Sequence, residues 1–303
     1  MKRRSFLGAL GAAGALAARP GGFAQAAPAA AMQLRAIPAS GERLPVIGMG
    51  TSGTFEVGES PADRAPLIEV TRLLLATPNS LIDTAPSYGR AEAVVGDILQ
   101  GGGWRRQAFI ATKISARAGE DARAQWRRSL ASLRTDKVDL LQVHNLVDWQ
   151  QNLAFLRELK AAGKVRYVGI THYVDSAHDT LAQIVQAEKL DFVQINYSVT
   201  SRSAERRLLP LCRDRGVAVL INRAFEDGRL FGTVKGRELP AWAGEIGCNS
   251  WAQLLLKFVL ADPAVTVVIP ATSKPKNMAD NLAAGTGPMP DAKQRDRIAA
   301  LFA

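Results

Sequence analysis

The amino-acid sequence predicts an α/β fold, a single (β/α)8 barrel with an N-terminal hairpin and extra helices near the C-terminus. Short, continuous apolar runs rich in Val and Ile recur along the chain, and strands covered on both faces have this composition. Helical patterns such as 121–133, 177–187 and 204–213 separate the runs. Eight such alternations in one chain favour a closed barrel over an open sheet. The predicted strands lie near Val46, Leu81, Phe109, Val138, Tyr167, Phe192, Val217 and Val265.

The segments outside the regular repeat are predicted one by one. Residues 32–37 and 43–45 flank a turn at 38–41 and should form the hairpin. The stretch 226–247 interrupts the spacing of the repeat, so we expect a long loop with one short helix there. Residues 291–301 should form a last helix. Because no low-complexity linker divides residues 27–303, we assign them to one barrel domain.

Residues 1–26 have the layout of an export signal peptide. Lys2-Arg3-Arg4 precedes an apolar run that is too short to span a bilayer comfortably, and Ala24-Gln25-Ala26 offers a cleavage site. The arginine pair with Phe6-Leu7 behind it favours a twin-arginine signal over an ordinary secretory signal or a membrane anchor. We therefore expect the twin-arginine export machinery as a partner, no stable membrane insertion after signal cleavage, and a periplasmic location.

The composition argues against several classes of function. The formal net charge is +10, yet no basic run with interleaved aromatic residues appears in residues 27–303, so nucleic-acid binding is not favoured. Cys212 and Cys248 are too few for a disulfide framework. No metal-ligand spacing is present, so we predict no metal site.

Four polar groups lie at the ends of predicted strands or just beyond them. Asp83 ends the run at Leu81 and Tyr88 follows it, Lys113 ends the next run, and His144 ends the one after. Each alone has a plainer interpretation as a turn cap, a packed aromatic, a solvated charge or a core histidine. In a barrel, however, the carboxyl ends of all strands open at one mouth, so the four should converge.

These four residue types together suit a site where a carbonyl receives a proton. A phenol is a weak acid unless a neighbouring ammonium lowers its pKa, and a carboxylate keeps that ammonium charged and in place. A histidine at the same mouth can donate a hydrogen bond that orients the carbonyl oxygen.

The glycine pattern of residues 48–53 does not indicate a dinucleotide-binding motif. It follows a predicted strand and fits G-x-G-x-x-G, but the dinucleotide fingerprint also needs a helix that opens at the third glycine. Here the helix should begin only near Pro61. We interpret the segment as a glycine-rich loop at the barrel mouth.

With these residues the chain resembles the aldo-keto reductases. Asp83, Tyr88, Lys113 and His144 are similar to the catalytic tetrad of that family. The segments 163–169 and 269–270 are similar to its fifth and eighth strands. The resemblance implies a TIM barrel that transfers hydride from a nicotinamide to a small-molecule aldehyde or ketone, with Tyr88 as the general acid. Lys113 and Asp83 would tune Tyr88, and His144 would position the substrate.

The resemblance also implies a set of cofactor contacts. Thr171, His172 and Gln194 correspond to the residues that hold the nicotinamide carboxamide, although the family usually has asparagine where His172 stands. Asn222 occupies the place of a stacking tyrosine. Arg223 is either a pyrophosphate ligand or a plain surface arginine. The residues expected at the adenosine end are Thr272, Ser273, Lys274 and Asn281. We expect NADP as the cofactor and keep NAD as possible. Phe55 and Trp149 are expected to line an apolar substrate pocket.

Two alternatives to the carbonyl reductase stay open. The first is a nucleotide-binding redox-sensing or regulatory barrel with little turnover, which Asn222 and His172 favour because they depart from the family pattern. The second is an exported barrel with an unrelated ligand and an idle tetrad.

Overall fold

The computed structural model describes residues 31–303, so the predicted export signal lies outside the described residues. The chain enters through an antiparallel hairpin of β1 (Leu34–Ala36) and β2 (Arg43–Pro45). Gly41 takes a φ of +76° in its turn, a conformation that glycine adopts without steric cost. The hairpin prediction is confirmed.

The remaining strands form one parallel sheet in which each strand pairs with its successor. Isolated bridges join Ile47 to Val268 and Gly50 to Ala271, so the first and last strands approach each other and nearly close the barrel. Gly48 lies at this closure, where a Cβ would come within 2.8 Å of the Leu81 carbonyl oxygen. The strands are β3 (Met49–Gly50), β4 (Ser80–Asp83), β5 (Ala108–Ile114), β6 (Val138–His144), β7 (Val165–Thr171), β8 (Phe192–Asn196), β9 (Ala218–Asn222) and β10 (Val265–Val268).

Helices follow the strands in regular alternation, which confirms the predicted (β/α)8 barrel. The helices of the regular repeat are α1 (Pro61–Leu75), α2 (Ala91–Gly101), α3 (Ala122–Ser132), α4 (Trp149–Ala161), α5 (His178–Ala187) and α6 (Leu208–Asp214). The predicted insertion holds the short α7 (Arg229–Thr233). It is followed by α8 (Trp251–Leu260), α9 (Pro275–Ala284) and α10 (Ala292–Ala300). Among the described residues no helix is both long and apolar enough to traverse a bilayer.

Local sequence signals explain where several helices begin. The Ser60 side chain caps α1 just before Pro61, and Asp291 forms a capping box with Gln294 at α10. The pattern at 204–213 predicted one helix, but the structure has a 3₁₀ turn at Ser203–Arg206 before α6. Pro210 favours this break, because it lacks the N–H that a continuous helix would use to bond the Arg206 carbonyl.

The core has two layers that leave only one end of the barrel open. Helices cover the outer face of the sheet, and a separate cluster fills the barrel interior. Ile37 and Leu44 of the hairpin belong to this interior cluster, so the hairpin seals the amino-terminal end. Polar groups can therefore collect in the barrel only at its carboxyl-terminal mouth.

Candidate active site

The alternation of side chains along the strands brings the predicted site residues into the barrel mouth. On β5, Phe109 and Ala111 face the interior cluster, so Lys113, two residues later, faces inward at the top. On β6, Leu140 faces the interior cluster. His144, four residues later, therefore also faces inward. The same two-residue period makes Asp83 of β4, Thr171 of β7, Gln194 of β8 and Asn222 of β9 face inward at the mouth.

Lys113 and Asp83 form a buried ion pair at the centre of the mouth. The Lys113 Nζ atom lies 2.7 Å from Asp83 Oδ2, and their side chains are 1% and 5% exposed. Lys113 Nζ also donates to the Thr84 carbonyl oxygen at 2.8 Å. Burial lowers the pKa of Lys113, but the effects of Asp83 and Tyr88 together outweigh it, and the pKa ends above its usual value. Lys113 is therefore an ammonium ion at neutral pH.

Tyr88 lies directly beside this pair. Lys113 Nζ is 5.0 Å from the centre of the Tyr88 ring. Burial raises the pKa of the Tyr88 phenol, Lys113 lowers it, and Asp83 opposes Lys113. The pKa of Tyr88 therefore ends above its usual value, whereas the sequence predicted that the Lys113 ammonium would lower it. The effect of burial dominates because the Asp83 carboxylate neutralises much of the ammonium charge. The phenol consequently keeps its proton at neutral pH.

His144 completes the group of four. Its ring stands edge-on to the Tyr88 ring, with the centres 5.8 Å apart. Ser87 Oγ lies 3.4 Å from His144 Nδ1. Burial, the Lys113 charge and His172 lower the pKa of His144 to about 3. The imidazole is thus neutral at physiological pH, with one N–H to donate.

A cavity of about 820 Å³ opens above the four residues. It is lined by residues at the ends of β3, β4 and β6–β10 or in the loops that follow them, so it extends across most of the mouth. Asp83, Tyr88, His144, Thr171, Gln194, Asn222 and Arg223 are the sequence-predicted residues that line it. Lys113 lies beneath it, against Asp83.

Two buried polar atoms at the cavity wall have no hydrogen-bond partner. Gln194 accepts a bond from Thr171 Oγ1 at 2.8 Å through Oε1, but its Nε2 is unsatisfied. Asn222 Nδ2 donates weakly, at 3.3 Å, to the His172 carbonyl oxygen, while its Oδ1 is unsatisfied. A free donor and a free acceptor therefore stand on adjacent strands β8 and β9. Such buried groups are costly unless a ligand completes them.

Arg223 is held in a strained loop directly after β9. Its φ is +53°, and Glu226 and Asp227 have φ values of +50° and +56°, which are unfavourable for residues other than glycine. The Arg223 guanidinium pairs with Asp227 and donates to the Tyr173 carbonyl oxygen at 3.1 Å. It also lies over the Tyr173 ring. The loop thereby keeps a cation at the cavity wall.

The other predicted cofactor residues lie outside the cavity lining. His172 is half-buried, and its Nδ1 accepts a bond from the Tyr173 amide. Thr272 Oγ1 accepts from the Lys274 amide at 3.1 Å at the start of α9. Ser273 is partly exposed and Asn281 is buried. The strand end at Ile269, Pro270 and Ala271 connects these residues to the cavity.

The structure does not support the predicted apolar pocket of Phe55 and Trp149. Phe55 is fully buried in the outer core, and neither residue lines the cavity. The amides of Thr54 and Phe55 both bond the Thr51 carbonyl oxygen, and this turn carries the Phe55 ring into the core. Trp149 starts α4 and packs against the same core.

Several lining residues were missed in the sequence analysis. Tyr173, Phe231, Ser87 and Asn145 line the cavity, and Tyr173 is 46% exposed. Their common signal is their position within a few residues of a strand end or in the insertion. Within residues 31–303 no cluster of His, Cys, Asp and Glu side chains has the arrangement of a metal site.

Known proteins resemble this chain over most of its length. The sequence model of the Aldo/keto reductase family matches residues 46–301. The chain is 31% identical over 227 residues to the NADH-specific methylglyoxal reductase of Escherichia coli, covering 63% of this chain and 68% of that protein. It is 31% identical over 219 residues to the aldo-keto reductase YhdN of Bacillus subtilis, covering 66% of this chain and 64% of that protein.

A solved structure extends the similarity to the fold. An aldo/keto reductase from Klebsiella pneumoniae in complex with NADP and acetate superposes with a TM-score of 0.73 at 26% identity. The match covers 86% of this chain and 93% of that one. The chain thus spans about two thirds of each curated relative and nearly all of the solved structure.

Proposed function

Because the chain belongs to the aldo/keto reductase family, we propose that it is an NADP-dependent carbonyl reductase that acts on a small aldehyde or ketone. The observation that carries the proposal is the buried Lys113–Asp83 pair beside the Tyr88 ring, at the mouth of a barrel with an open cavity. The relatives add support, since one is named a methylglyoxal reductase and the solved structure contains NADP.

Tyr88 is the general acid of the proposed reaction. Its hydroxyl donates a proton to the carbonyl oxygen, and the raised pKa ensures that the proton is present. Lys113 has three N–H donors, of which two bond Asp83 and Thr84. The third is available to the phenol oxygen and stabilises the phenolate that proton loss leaves. Asp83 holds the ammonium in this position.

His144 orients the carbonyl group. Ser87 faces its Nδ1 atom, and when the hydroxyl donates there, Nε2 carries the single ring proton. That N–H can donate to the carbonyl oxygen beside Tyr88. A neutral imidazole suits this role, because a charged one would repel the Lys113 ammonium.

The residues at the other side of the mouth fit a nicotinamide nucleotide. When bound, the nicotinamide would supply the hydride. Its carboxamide offers a carbonyl oxygen and an NH₂ group, which match the free Gln194 Nε2 donor and the free Asn222 Oδ1 acceptor. Thr171 fixes the Gln194 side chain, and His172 supports Asn222 through its backbone. Arg223 lines the cavity and would meet the pyrophosphate by charge-assisted bonds.

The start of α9 fits the adenosine end. Unpaired amides and the helix dipole attract phosphate to a helix N-terminus, and Lys274 adds a cation there. Thr272 and Ser273 offer hydroxyls, and Asn281 lies in the second turn of the helix. These groups favour NADP, which carries an extra phosphate. NAD is the alternative, because the Escherichia coli relative is named NADH-specific.

Loss of NADPH absorbance with a panel of aldehydes tests the proposal. We expect turnover by the wild type and a loss of about three orders of magnitude in kcat for Tyr88→Phe, since general acid catalysis contributes roughly 10²–10⁴-fold. Tyr167→Phe is the matched control, because its hydroxyl bonds Ser40 and Glu42 at the sealed end. Tight nucleotide binding without turnover would instead support a redox-sensing or regulatory barrel.

The N-terminal sequence supports a second proposal, that residues 1–26 direct twin-arginine export of the folded barrel to the periplasm. The support is Lys2-Arg3-Arg4 with its following apolar run. Cell fractionation of a full-length fusion tests it, with Arg3→Lys plus Arg4→Lys as the variant. Periplasmic recovery that survives the double substitution would contradict a twin-arginine route.

A further inference from the structure

A second group of polar side chains lies beyond the carboxyl end of β8. Ser203 begins the 3₁₀ turn that precedes α6, His178 is the first residue of α5, and Asn196 is the last residue of β8. These three residues do not belong to the lining of the cavity that contains Tyr88. The proposed reductase chemistry therefore makes no use of them.

Ser203 and His178 form a hydroxyl–imidazole pair. Ser203 Oγ lies 2.8 Å from His178 Nδ1, and the other ring nitrogen, Nε2, lies 3.0 Å from Asn196 Oδ1. The imidazole is buried, whereas Ser203 is partly exposed. A nucleophile, a base within hydrogen-bond distance and a third group that orients the base are the parts that activate a serine for covalent chemistry.

The hydrogen bonds around Asn196 fix the orientation of its amide. Asn196 Nδ2 donates to Asp175 and, at 3.0 Å, to Ser201 Oγ. Burial raises the pKa of Asp175, but hydrogen bonds from the neighbouring hydroxyl and amide groups outweigh this effect, so its side chain is a carboxylate at neutral pH. A carboxylate only accepts hydrogen bonds. Asn196 must therefore turn its NH₂ group towards Asp175 and its Oδ1 atom towards the imidazole.

This orientation decides where the proton of the neutral imidazole lies. The acceptor Asn196 Oδ1 requires the proton on His178 Nε2, so Nδ1 presents its lone pair to Ser203. The Ser203 hydroxyl is then a donor, and it also approaches Asp175, whose pKa it helps to lower. Imidazole is a stronger base than a carboxylate, so His178 is the group that takes the proton when Oγ attacks an electrophile.

We propose that Ser203 is a second reactive site, a nucleophilic serine that takes the acyl group of a small activated ester with His178 as its general base. In the step, Oγ forms a bond to the acyl carbon while the bond from that carbon to the ester oxygen breaks. His178 Nδ1 takes the hydroxyl proton and passes it to the leaving oxygen. The products are acyl-Ser203 and an alcohol, and no oxidant, reductant or cofactor is consumed. Because Ser203 is only partly exposed, the site suits a short acyl group such as acetyl.

The ester p-nitrophenyl acetate tests the site, because each acyl transfer releases one coloured phenolate. With the full chain in nucleotide-free buffer, we expect a fast phase of release that reaches about one equivalent of protein, the signature of an acyl-enzyme. Peptide mass spectrometry of protein quenched in acid at the end of this phase should find the acetyl group on Ser203.

Three variants assign the roles. Ser203→Ala removes the nucleophile and should abolish both the fast phase and the label. His178→Gln keeps a hydrogen-bonding side chain but has no basic nitrogen, and it should slow the fast phase by about 10²–10⁴-fold, the usual contribution of a general base. Ser176→Ala is the matched control. Ser176 is an exposed serine two residues before His178, and its side chain makes no hydrogen bond within residues 31–303, so this variant should behave as the wild type.

Urea unfolding shows whether each variant is folded, and for one that is not, the position of the acetyl group on the wild type decides. Wild-type release without a fast phase, or an acetyl group found only on other residues, overturns the proposal. A fast phase that survives Ser203→Ala, or that is undiminished in folded His178→Gln, also overturns it. Neither NADPH nor Tyr88 takes part in the assay, so its outcome is independent of the proposed reductase.

Discussion

Replacing Asn222 by leucine should stabilise the protein and weaken its binding of the nicotinamide. The Asn222 Oδ1 atom is buried without a partner, and its Nδ2 makes only a long bond of 3.3 Å. An unsatisfied buried polar group costs about 1–3 kcal/mol. Asn222→Leu removes that cost from the free protein, so we expect the free energy of unfolding to rise by about 1 kcal/mol or more.

The same substitution should cost affinity for one specific part of the nucleotide. If the carboxamide NH₂ donates to Oδ1, its loss costs a hydrogen bond of about 0.5–1.5 kcal/mol, and each 1.4 kcal/mol is roughly tenfold in Kd. The 3-acetylpyridine analogue of NADP⁺ keeps the carbonyl oxygen but lacks the NH₂ group. Calorimetry should therefore find the analogue about two- to tenfold weaker on the wild type and equal to NADP⁺ on Asn222→Leu.

Asn196 provides the matched control for stability. It pairs with Asn222 across β8 and β9, but its amide bonds His178, Asp175 and Ser201. Asn196→Leu should therefore destabilise the fold, by the same 1–3 kcal/mol that a broken buried bond costs. The reasoning is refuted if Asn222→Leu is less stable than the wild type in urea, or if it still discriminates between the two nucleotides.

Three further predictions concern the tetrad and the cofactor. Lys113→Met should lower the free energy of unfolding by about 3–5 kcal/mol, because it leaves Asp83 buried without its partner. Urea unfolding checks this, and a loss below about 1 kcal/mol would show that the pair is solvated. The folded-state pKa of His144, about 3, lies below its ordinary 6.5. Its contribution to stability is therefore present above about pH 6.5 and decreases as the pH falls towards 3, by up to about 1.4 kcal/mol per pH unit. His144→Gln should flatten the pH dependence of urea unfolding between pH 4 and 6.5, and an unchanged slope would contradict the assignment. Finally, calorimetry should find tighter binding of NADP⁺ than of NAD⁺, with the preference reduced in Lys274→Met. Tighter NAD⁺ binding would reject NADP as the cofactor.

The barrel and the convergence of the tetrad could be predicted because both depend on local pattern. Strand runs that end in Asp83, Lys113 and His144 place these residues at one mouth once the sheet is parallel and closed. The period of two along each strand then decides which side chains face inward. Neither step requires knowledge of distant contacts.

The positions of Phe55 and Trp149 outside the cavity could not be predicted, because they depend on how loops fold back. Phe55 follows the glycine-rich loop at the mouth, but the bonds to the Thr51 carbonyl oxygen turn its ring into the core. Three residues with positive φ, Asn145, Leu146 and Asp148, change the chain direction before Trp149. Sequence pattern alone does not specify such turns.

The direction of the Tyr88 pKa shift could also not be predicted from the sequence. The sequence identifies Lys113 as a neighbour that lowers the pKa of the phenol, but the burial of the ring and the closeness of Asp83 decide the direction of the shift.

The break in the helix at Ser203–Arg206, in contrast, has a signal in the sequence. Pro210 is visible in the sequence, and its missing N–H favours a break in the helix predicted at 204–213.

Transfer of a labelled hydride tests the central claim most directly. Wild-type protein, NADPH with deuterium at the transferable C4 position, and an aldehyde should give an alcohol with one deuterium on the former carbonyl carbon, detected by mass spectrometry. Tyr88→Phe should bind NADPH with unchanged affinity and form that product roughly a thousandfold more slowly. An unlabelled alcohol, or labelled product formed equally fast without the Tyr88 hydroxyl, would contradict the account.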